Sequence, residues 1–341
     1  MQTTDFDYEL PQAQIAQTPA EPRDSSRLLV LSRADGRQEH VTFRNLPDFL
    51  RPGDVLVRNV TRVIPARLFG TKEGANAACE FLLLRQLDAA VWEVILRPGR
   101  KLRPGSRVRF APELAAEILS KEEGGVCRVR FDFDGVFEEI LDRLGETPLP
   151  PYIHERTAPA DRYQTVYARE AGSAAAPTAG LHFTPELLTT LERMGVEIAD
   201  VLLHVGLGTF RPVKTDTVED HHMHSEHYEV SEAAAGQLNR ARQEGRRLIC
   251  VGTTSVRVLE SAFDKASDQI RAGSGETDIF LYPGKTFHAT DGMITNFHLP
   301  QSTLLMLVAA FAGRETVLQA YSDAVRRGYR FFSFGDAMLI F

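Results

Sequence analysis

Between residues 66 and 131 the chain repeats one pattern five times: a short stretch of alternating apolar and polar residues, closed by turn formers. The stretches are Ala66-Arg-Leu-Phe69, Cys79-Glu-Phe-Leu-Leu-Leu84, Val91-Trp-Glu-Val-Ile-Leu96, Ser106-Arg-Val-Arg-Phe110 and Val126-Cys-Arg-Val-Arg-Phe131. A period of two sends successive side chains to opposite faces, so each stretch reads as a strand with one buried face. Pro98-Gly99 and Pro104-Gly105 interrupt the runs, and Lys121-Glu-Glu-Gly-Gly125 is a hairpin signal. Strands this short and this closely spaced pair with their neighbours in sequence, as a compact β-barrel or a sandwich.

Past residue 151 the period changes. The apolar runs Val196-Glu-Ile-Ala-Asp-Val-Leu-Leu203 and Arg247-Leu-Ile-Cys-Val251 alternate with helical stretches at residues 185–194, 231–244 and 302–312. That is the rhythm of an α/β domain. Thr184 before Pro185 and Ser231 before Glu232 suit helix N-caps, since a hydroxyl there accepts a backbone N–H left unpaired in the first turn. Thr147-Pro-Leu-Pro-Pro-Tyr152 is stiff and extended, so a domain boundary belongs near it. Leu28-Leu-Val-Leu31 and Asp54-Val-Leu-Val57 read as further strands. Periodicity leaves open whether they complete the later domain and make the alternating region an insertion.

The 341 residues, 43% of them hydrophobic, supply core enough for two domains. No apolar run approaches the roughly 20 residues of a membrane span. The first residues carry Asp5, Asp7 and Glu9 where a secretory leader would be basic, so the expected setting is the cytoplasm, with no membrane partner. Cys79, Cys127 and Cys250 are far apart and odd in number, which argues against a disulfide framework or a paired zinc site and for buried thiols. A formal net charge of −7 gives no global attraction to a polyanion, so any contact with nucleic acid must come from a local patch. Residues 97–109 supply one, with six basic residues and no acidic one, Arg97, Arg100, Lys101 and Arg103 among them. Such a stretch is either a solvated turn or a surface for phosphates.

Five segments are candidates for chemistry. Leu202-Leu-His-Val-Gly-Leu-Gly-Thr-Phe210 puts a histidine and a glycine turn at the end of an apolar strand, where open α/β sheets gather ligands. Arg211 replaces the third glycine of the dinucleotide fingerprint, which disfavours a Rossmann dehydrogenase. Ala174-Ala-Ala-Pro-Thr-Ala-Gly-Leu-His-Phe-Thr184 is either a closely packed loop or an anion-binding turn before a helix. Val251-Gly-Thr-Thr-Ser-Val-Arg-Val-Leu-Glu-Ser261 places Arg257 and Glu260 one turn apart, as an exposed ion pair or as a fork for a carboxylate and a ribose hydroxyl. Asp220-His-His-Met-His-Ser-Glu-His-Tyr228 invites a metal reading. It lacks the HExxH pattern and cysteine partners, so substrate hydrogen bonding is preferred and no metal is expected. Thr295, Asn296 and His298 either read a purine edge or form a turn before a helix begun by Gln301 or Ser302.

Taken in order, these segments resemble one family, the S-adenosylmethionine:tRNA ribosyltransferase-isomerases of queuosine biosynthesis. The resemblance also rests on Phe6-Asp-Tyr-Glu-Leu-Pro11, Arg23-Asp-Ser-Ser-Arg-Leu-Leu29, Arg51-Pro-Gly-Asp-Val-Leu-Val57, Thr61-Arg-Val-Ile-Pro-Ala-Arg-Leu68, Arg162-Tyr-Gln-Thr-Val-Tyr-Ala168 and Phe332-Ser-Phe-Gly-Asp-Ala-Met338. Val60 and Ala174 are small departures from its usual pattern. The resemblance implies a larger α/β-sandwich domain (residues 1–66 and 151–341) into which a small β-barrel (residues 67–150) is inserted. It implies that the ribosyl part of S-adenosylmethionine passes to 7-aminomethyl-7-deazaguanine at the tRNA wobble position, giving epoxyqueuosine, adenine and methionine. A monomer with no cofactor beyond its donor substrate is expected, although the sequence itself leaves dimerisation open. A base and an acid are then needed, and His204 and His182 are the candidates, in either order. Asp54, Thr61, Arg67, Thr178, Gly180, Gly206, Thr209, Thr253, Arg257, Glu260, Thr295 and Asn296 are expected to hold substrate, and Arg97, Arg100, Lys101 and Arg103 to meet tRNA. A non-catalytic RNA-binding protein built on the barrel and its basic stretch is one competing class, and it leaves the histidine, threonine and glycine segments without purpose; a metal-dependent hydrolase is another, discriminated by whether the purified protein contains stoichiometric zinc.

Overall fold

The computed structural model describes every residue except 76, 123, 124, 151, 155–159, 207–212 and 214. The chain divides into two compact units. The first comprises Met1–Thr61, Pro151–Glu170 and Pro177–Phe341, and the second Arg62–Pro150 with Ala171–Ala176. A boundary at the proline cluster alone assigns 171–176 to the first unit. The Ile64 N–H donates to the Ser173 carbonyl at 3.0 Å, and this pairing keeps the segment with the second.

In chain order the strands are β1 (Arg27–Leu31), β2 (Gln38–Thr42), β3 (Val55–Asn59), β4 (Thr61–Val63), β5 (Arg67–Lys72), β6 (Ala77–Gln86), β7 (Val91–Arg97), β8 (Arg107–Ala111), β9 (Leu114–Lys121), β10 (Val126–Phe133), β11 (Glu170–Ser173), β12 (Glu197–Leu203), β13 (Glu226–Val230), β14 (Leu248–Val251), β15 (Phe263–Asp264), β16 (Gln269–Ile270), β17 (Gly273–Thr277), β18 (Gly292–Asn296) and β19 (Ala337–Ile340). The α-helices are α1 (Phe137–Leu144), α2 (Pro185–Arg193), α3 (Glu232–Gln243), α4 (Gly252–Ala262), α5 (Thr303–Ala312) and α6 (Arg314–Arg326).

The second unit is a closed antiparallel barrel, in the order β10-β7-β6-β5-β8-β9. Its interior is the inward half of each alternation: Leu68, Phe81, Leu83, Val94, Leu96, Val108, Ile118, Val129 and Phe131 are all buried. Phe137, Ile140 and Leu141 of α1 join that core. Closure leaves no unpaired strand edge. The alternating pattern does not reveal two of its elements, β9 and α1.

The first unit is built on a nine-stranded mixed sheet, β17-β13-β12-β3-β14-β18-β19-β1-β2. Its middle is parallel, since β3 runs parallel to both β12 and β14, and β14 to β18. All four residues of β14 are buried, as a central parallel strand covered on both faces requires. Leu28, Leu56, Ile249, Ile294 and Leu339 share one hydrophobic cluster with Leu187, Leu188 and Leu191 of α2. Three helices start on capping hydroxyls: Thr184 accepts from the Leu187 N–H at 3.1 Å, Ser231 from Ala234 at 3.2 Å and Ser302 from Leu305 at 3.3 Å. Cys79, Cys127 and Cys250 are buried free thiols. Among the described residues no single helix is long and apolar enough to cross a membrane.

Candidate active site

Four parallel strands end along one edge of the sheet, and the antiparallel strands β13 and β19 begin there. The registers Leu203 to Tyr228 and Asn296 to Ala337 bring Glu226, His204, Asn59, Gly252 and Asn296 to that edge. This is where α/β sheets present loops and helix N-termini to ligands. Most of the expected residues are found here.

Asn59 joins two of the strand ends. Its side-chain oxygen accepts from the N–H groups of Thr61 (3.1 Å) and Leu203 (3.0 Å), and its amide donates to the Leu203 carbonyl at 2.9 Å. The chain can therefore leave β3 and β12 without stranding buried backbone groups. The Thr61 hydroxyl lies 2.9 Å from His204 Nδ1. Burial, and after it the neighbouring His227, pull the His204 pKa down to about 4, so the ring is neutral at pH 7. Only one of its ring nitrogens has a described partner.

His182 is held differently. It sits in the 3-10 turn Thr178–His182, 4% exposed and stacked on Phe43 at 5.0 Å. Burial lowers its pKa to about 4. The Asn296 amide nitrogen lies 3.0 Å from its Nε2 and also donates to the Phe332 carbonyl at 3.3 Å, while the Asn296 oxygen accepts from the Thr178 hydroxyl at 3.0 Å. An amide oriented by these partners makes Nε2 an acceptor, so Nδ1 carries the proton and donates to Ser26 Oγ at 2.7 Å. The Ser26 hydroxyl donates onward to the Arg23 carbonyl at 3.3 Å. Both ring nitrogens are engaged. Phe332 holds its end of this network in the left-handed region, at φ 71°, a strained conformation for a bulky residue that surrounding contacts must enforce. One residue before Asn296, the Thr295 hydroxyl lies 2.8 Å from His298 Nε2, and burial lowers the His298 pKa to about 3.

Between the two histidines lie β3 and β14. The turn from β14 into α4 is made by Gly252 at φ 85°, where an added Cβ would lie 3.3 Å from Thr254 Oγ1 and 3.6 Å from Ala179. Gly180 is tighter still, since a Cβ there would fall 2.1 Å from the Tyr167 hydroxyl. Several buried polar atoms at this edge lack a hydrogen-bond partner among the described residues: Thr254 Oγ1, Thr165 Oγ1, the Tyr167 hydroxyl, and Nε and Nη2 of Arg257. Each such atom costs about 1–3 kcal/mol unless something pairs with it, so buried groups left open in this way are what a bound ligand would satisfy.

Arg257 is the most deeply placed of these, 2% exposed, with Nη1 bonded to Glu226. Glu226, 4% exposed, accepts the Gly206 N–H at 2.7 Å through its other oxygen. The exposed Arg257–Glu260 pair that the helical spacing allowed does not form. Glu260 lies three residues further along α4 and accepts from the N–H groups of His288 and Ala289 and from the Thr290 hydroxyl, at 2.7, 3.0 and 2.8 Å. Asp54 is also drawn away, because it precedes β3 and lies at the opposite edge, where Arg247 binds its carboxylate and the Arg51 N–H donates to it at 2.8 Å. Thr253 opens α4 at the active edge, whereas Thr209 lies outside the described residues.

Arg67 belongs to the barrel, where it pairs with Glu80 at 3.2 Å. Among the described residues Arg97, Arg100, Lys101 and Arg103 are exposed and have no acidic partner, whereas Arg107, Arg109, Arg128 and Arg130 are each paired with a carboxylate. Lys72 donates to the Lys101 carbonyl at 3.0 Å and Lys121 to that of Gly99, so two more cations join the unpaired group. Among the described residues no three His, Cys, Asp or Glu side chains are placed to hold a metal ion.

The family model of the queuosine biosynthesis proteins matches residues 3–340. The chain belongs to that family. A relative in Carboxydothermus hydrogenoformans, named S-adenosylmethionine:tRNA ribosyltransferase-isomerase, is 59% identical over the full length of both chains. One of the same name in Desulfitobacterium hafniense is 57% identical, again over the whole of both. The crystal structure of an S-adenosylmethionine tRNA ribosyltransferase from Thermotoga maritima is 40% identical with a TM-score of 0.57, covering 99% of this chain and 100% of that one.

The sequence pattern does not single out Glu226, Asn59, Ser26 or Tyr167. Glu226 and Tyr167 stand inside motifs whose other residues carry the obvious chemistry, and in the histidine-rich segment the imidazoles mask the one buried carboxylate. Asn59 does leave a signal: an amide two residues past the apolar run Val55-Leu-Val57, at the last position of β3, where burial makes a polar side chain worth explaining.

Proposed function

We propose that this chain transfers and isomerises the ribosyl part of S-adenosylmethionine onto 7-aminomethyl-7-deazaguanine at the anticodon wobble position of tRNA. The product is epoxyqueuosine in tRNA, and adenine and methionine are released. The observation that carries this reading is likeness along the entire chain, from residue 3 to residue 340, to a family whose members bear that activity in their names. In this reading the enzyme works in the cytoplasm as a monomer, with no cofactor beyond its donor substrate.

The sulfonium of the donor acidifies the adjacent C5′ hydrogens, so the sequence starts with a base that removes one; the ribose then opens, adenine departs and an epoxide closes. His204 is that base. Support comes from its uncommitted nitrogen: with Nδ1–H donating to Thr61, Nε2 holds a free lone pair, and the depressed pKa keeps it unprotonated at neutral pH. His182 has neither a free lone pair nor a free proton, so its part is to orient Asn296, Thr178 and the turn that carries Gly180. Thr178, Gly180, Gly206, Thr253, Thr295 and Asn296 frame the donor, and the unpaired barrel cations meet tRNA phosphates.

The test is direct. The purified protein is incubated with S-adenosylmethionine and tRNA bearing the 7-aminomethyl-7-deazaguanine base, and adenine and methionine are quantified. Stoichiometric release of both is expected, and no release at any pH from about 6 to 9, the span over which histidine bases ordinarily work, defeats the reading.

A further inference from the structure

We propose that the unpartnered edge of Arg257 is the subsite for the α-carboxylate of the donor's methionyl end, with Glu226 as the positioning residue that aims it. The inference rests on the reaction proposed above and adds to it the group that recognises the donor's amino-acid end.

Arg257 lies one turn into α4, in the cluster at the carboxyl ends of β12, β3 and β14. Its guanidinium has two edges with different partners. Nη1 faces Glu226, and Glu226 is tied through its second oxygen to the Gly206 N–H at the end of β12. Nε and Nη2 form the other edge, and both are buried without a partner among the described residues. Those two N–H groups point the same way at the spacing of the two oxygens of a carboxylate, the geometry of bidentate recognition. Thr254 Oγ1, three residues earlier on the same helix and also unpartnered among the described residues, adds a hydroxyl on the same face. If Arg257 served only to neutralise Glu226, its second edge would be buried for nothing. A phosphate of tRNA has a similar oxyanion chemistry, but a side chain only 2% exposed suits the end of a small molecule better than a polynucleotide backbone. Glu226 fixes the guanidinium plane: with Nη1 held, the free edge can face only one direction.

The experiment compares S-adenosylmethionine with its decarboxylated analogue in the adenine-release assay with full-length enzyme and modified tRNA. The wild type should discriminate against the analogue by about 10²-fold or more in kcat/KM, most of it in KM, because a buried fork is left unpaired. Arg257→Lys should raise KM for S-adenosylmethionine by a comparable factor and bring the ratio between the two donors toward one. Glu226→Gln, whose single amide oxygen can replace only one of the two carboxylate oxygens that accept from Gly206 and Arg257, should retain an intermediate ratio, while Glu226→Ala should lose it. Calorimetric binding of both donors to the wild type needs no variant and no turnover, so the fork is tested even if the reaction is misassigned. Equal affinity of the wild type for the two donors overturns the proposal. So does a full ratio in Arg257→Lys, or a variant whose KM rises for tRNA alone, which would place a phosphate on the fork. Absence of adenine release from S-adenosylmethionine with a preserved binding ratio would instead overturn the reaction and leave the fork standing.

Discussion

Replacing Gly180 by alanine tests how closely the 3-10 turn is packed over the site. The added Cβ would lie 2.1 Å from the Tyr167 hydroxyl, 2.7 Å from Thr165 Cγ2 and 2.9 Å from Tyr167 Cζ. Contact without overlap needs about 3.5 Å, so the hydroxyl or the turn must move by more than an ångström. Neither moves freely. The turn is anchored by Gly180 N–H to the Pro177 carbonyl at 2.8 Å and by Phe183 N–H to the Gly180 carbonyl at 3.3 Å. The Tyr167 ring is held between the Arg58 guanidinium, 4.6 Å from its centroid, and Phe183. Gly180→Ala should therefore cost about 2–3 kcal/mol, the upper part of the overpacking range, and lower the thermal transition of a unit this size by about 4–6 °C. Because Thr178 and His182 ride on the same turn, kcat should fall with it. Tyr167→Phe removes the nearest atom and leaves the other two contacts, so the double variant should regain about half of the lost stability. Scanning calorimetry of the wild type, both single variants and the double variant measures the coupling. A Gly180→Ala protein as stable as the wild type, or a double variant no better than Gly180→Ala, would refute the packing argument.

Acid should destabilise the fold through its buried histidines. His182 and His298 titrate at about 4 and about 3 when folded, against 6.5 ordinarily; the unfolded chain then takes up protons first, so stability present above pH 6.5 is lost as the pH falls towards 4, by about 2 kcal/mol per histidine between pH 7 and pH 5. Urea titrations across that range on the wild type and His298→Asn check it, and identical pH slopes would count against it. His204→Gln should lower kcat by about 10²–10⁴-fold with donor binding little changed. Thr61→Val should cost about tenfold, the worth of one hydrogen bond, and a Thr61→Val enzyme of normal kcat would remove Thr61 from the orientation of His204. Arg100→Glu with Lys101→Glu should weaken tRNA binding and reduce its salt slope by about one for each phosphate no longer neutralised. Arg128→Glu, at a position already paired with Glu122, should change the slope less.

The barrel was legible because alternation survives in five of its six strands. The sixth, β9, is Leu-Ala-Ala-Glu-Ile-Leu-Ser-Lys, residues of helical preference that pairing with β8 and β10 overrides. The sheet edge was legible through Gly252, Asn296 and His204, since glycines and polar side chains at the ends of apolar runs are local signals. What sequence could not supply was partnership. Arg257 and Glu260 share a helical spacing that suggests one pair, yet the helix enters the unit so that Arg257 meets Glu226, 31 residues distant, and Glu260 meets the 288–290 loop. Asp54 follows a motif glycine as a site carboxylate would, and only the strand's direction places it at the wrong edge.

The buried polar groups at the carboxyl edge sort into two classes, and the difference has a consequence. Asn59, Ser26, His182, Asn296 and Thr178 satisfy one another and the backbone around them, with each donor and acceptor assigned by its neighbour. Such a network is rigid, and breaking one member leaves others unpaired in a low-dielectric interior. Thr165, Tyr167, Thr254 and the free edge of Arg257 have side-chain atoms that meet no partner among the described residues. Truncating a member of the first class must therefore lower stability and rate together. Removing an unsatisfied hydroxyl from the second should leave stability level or slightly improved while the rate falls. Tyr167→Phe and Thr254→Val fall on one side of that line and Asn59→Ala and Asn296→Ala on the other. Plotting the change in unfolding free energy against the change in kcat/KM for these four variants would separate the frame of the site from its ligand-facing groups. A single correlated line through all four would mean that both classes are frame.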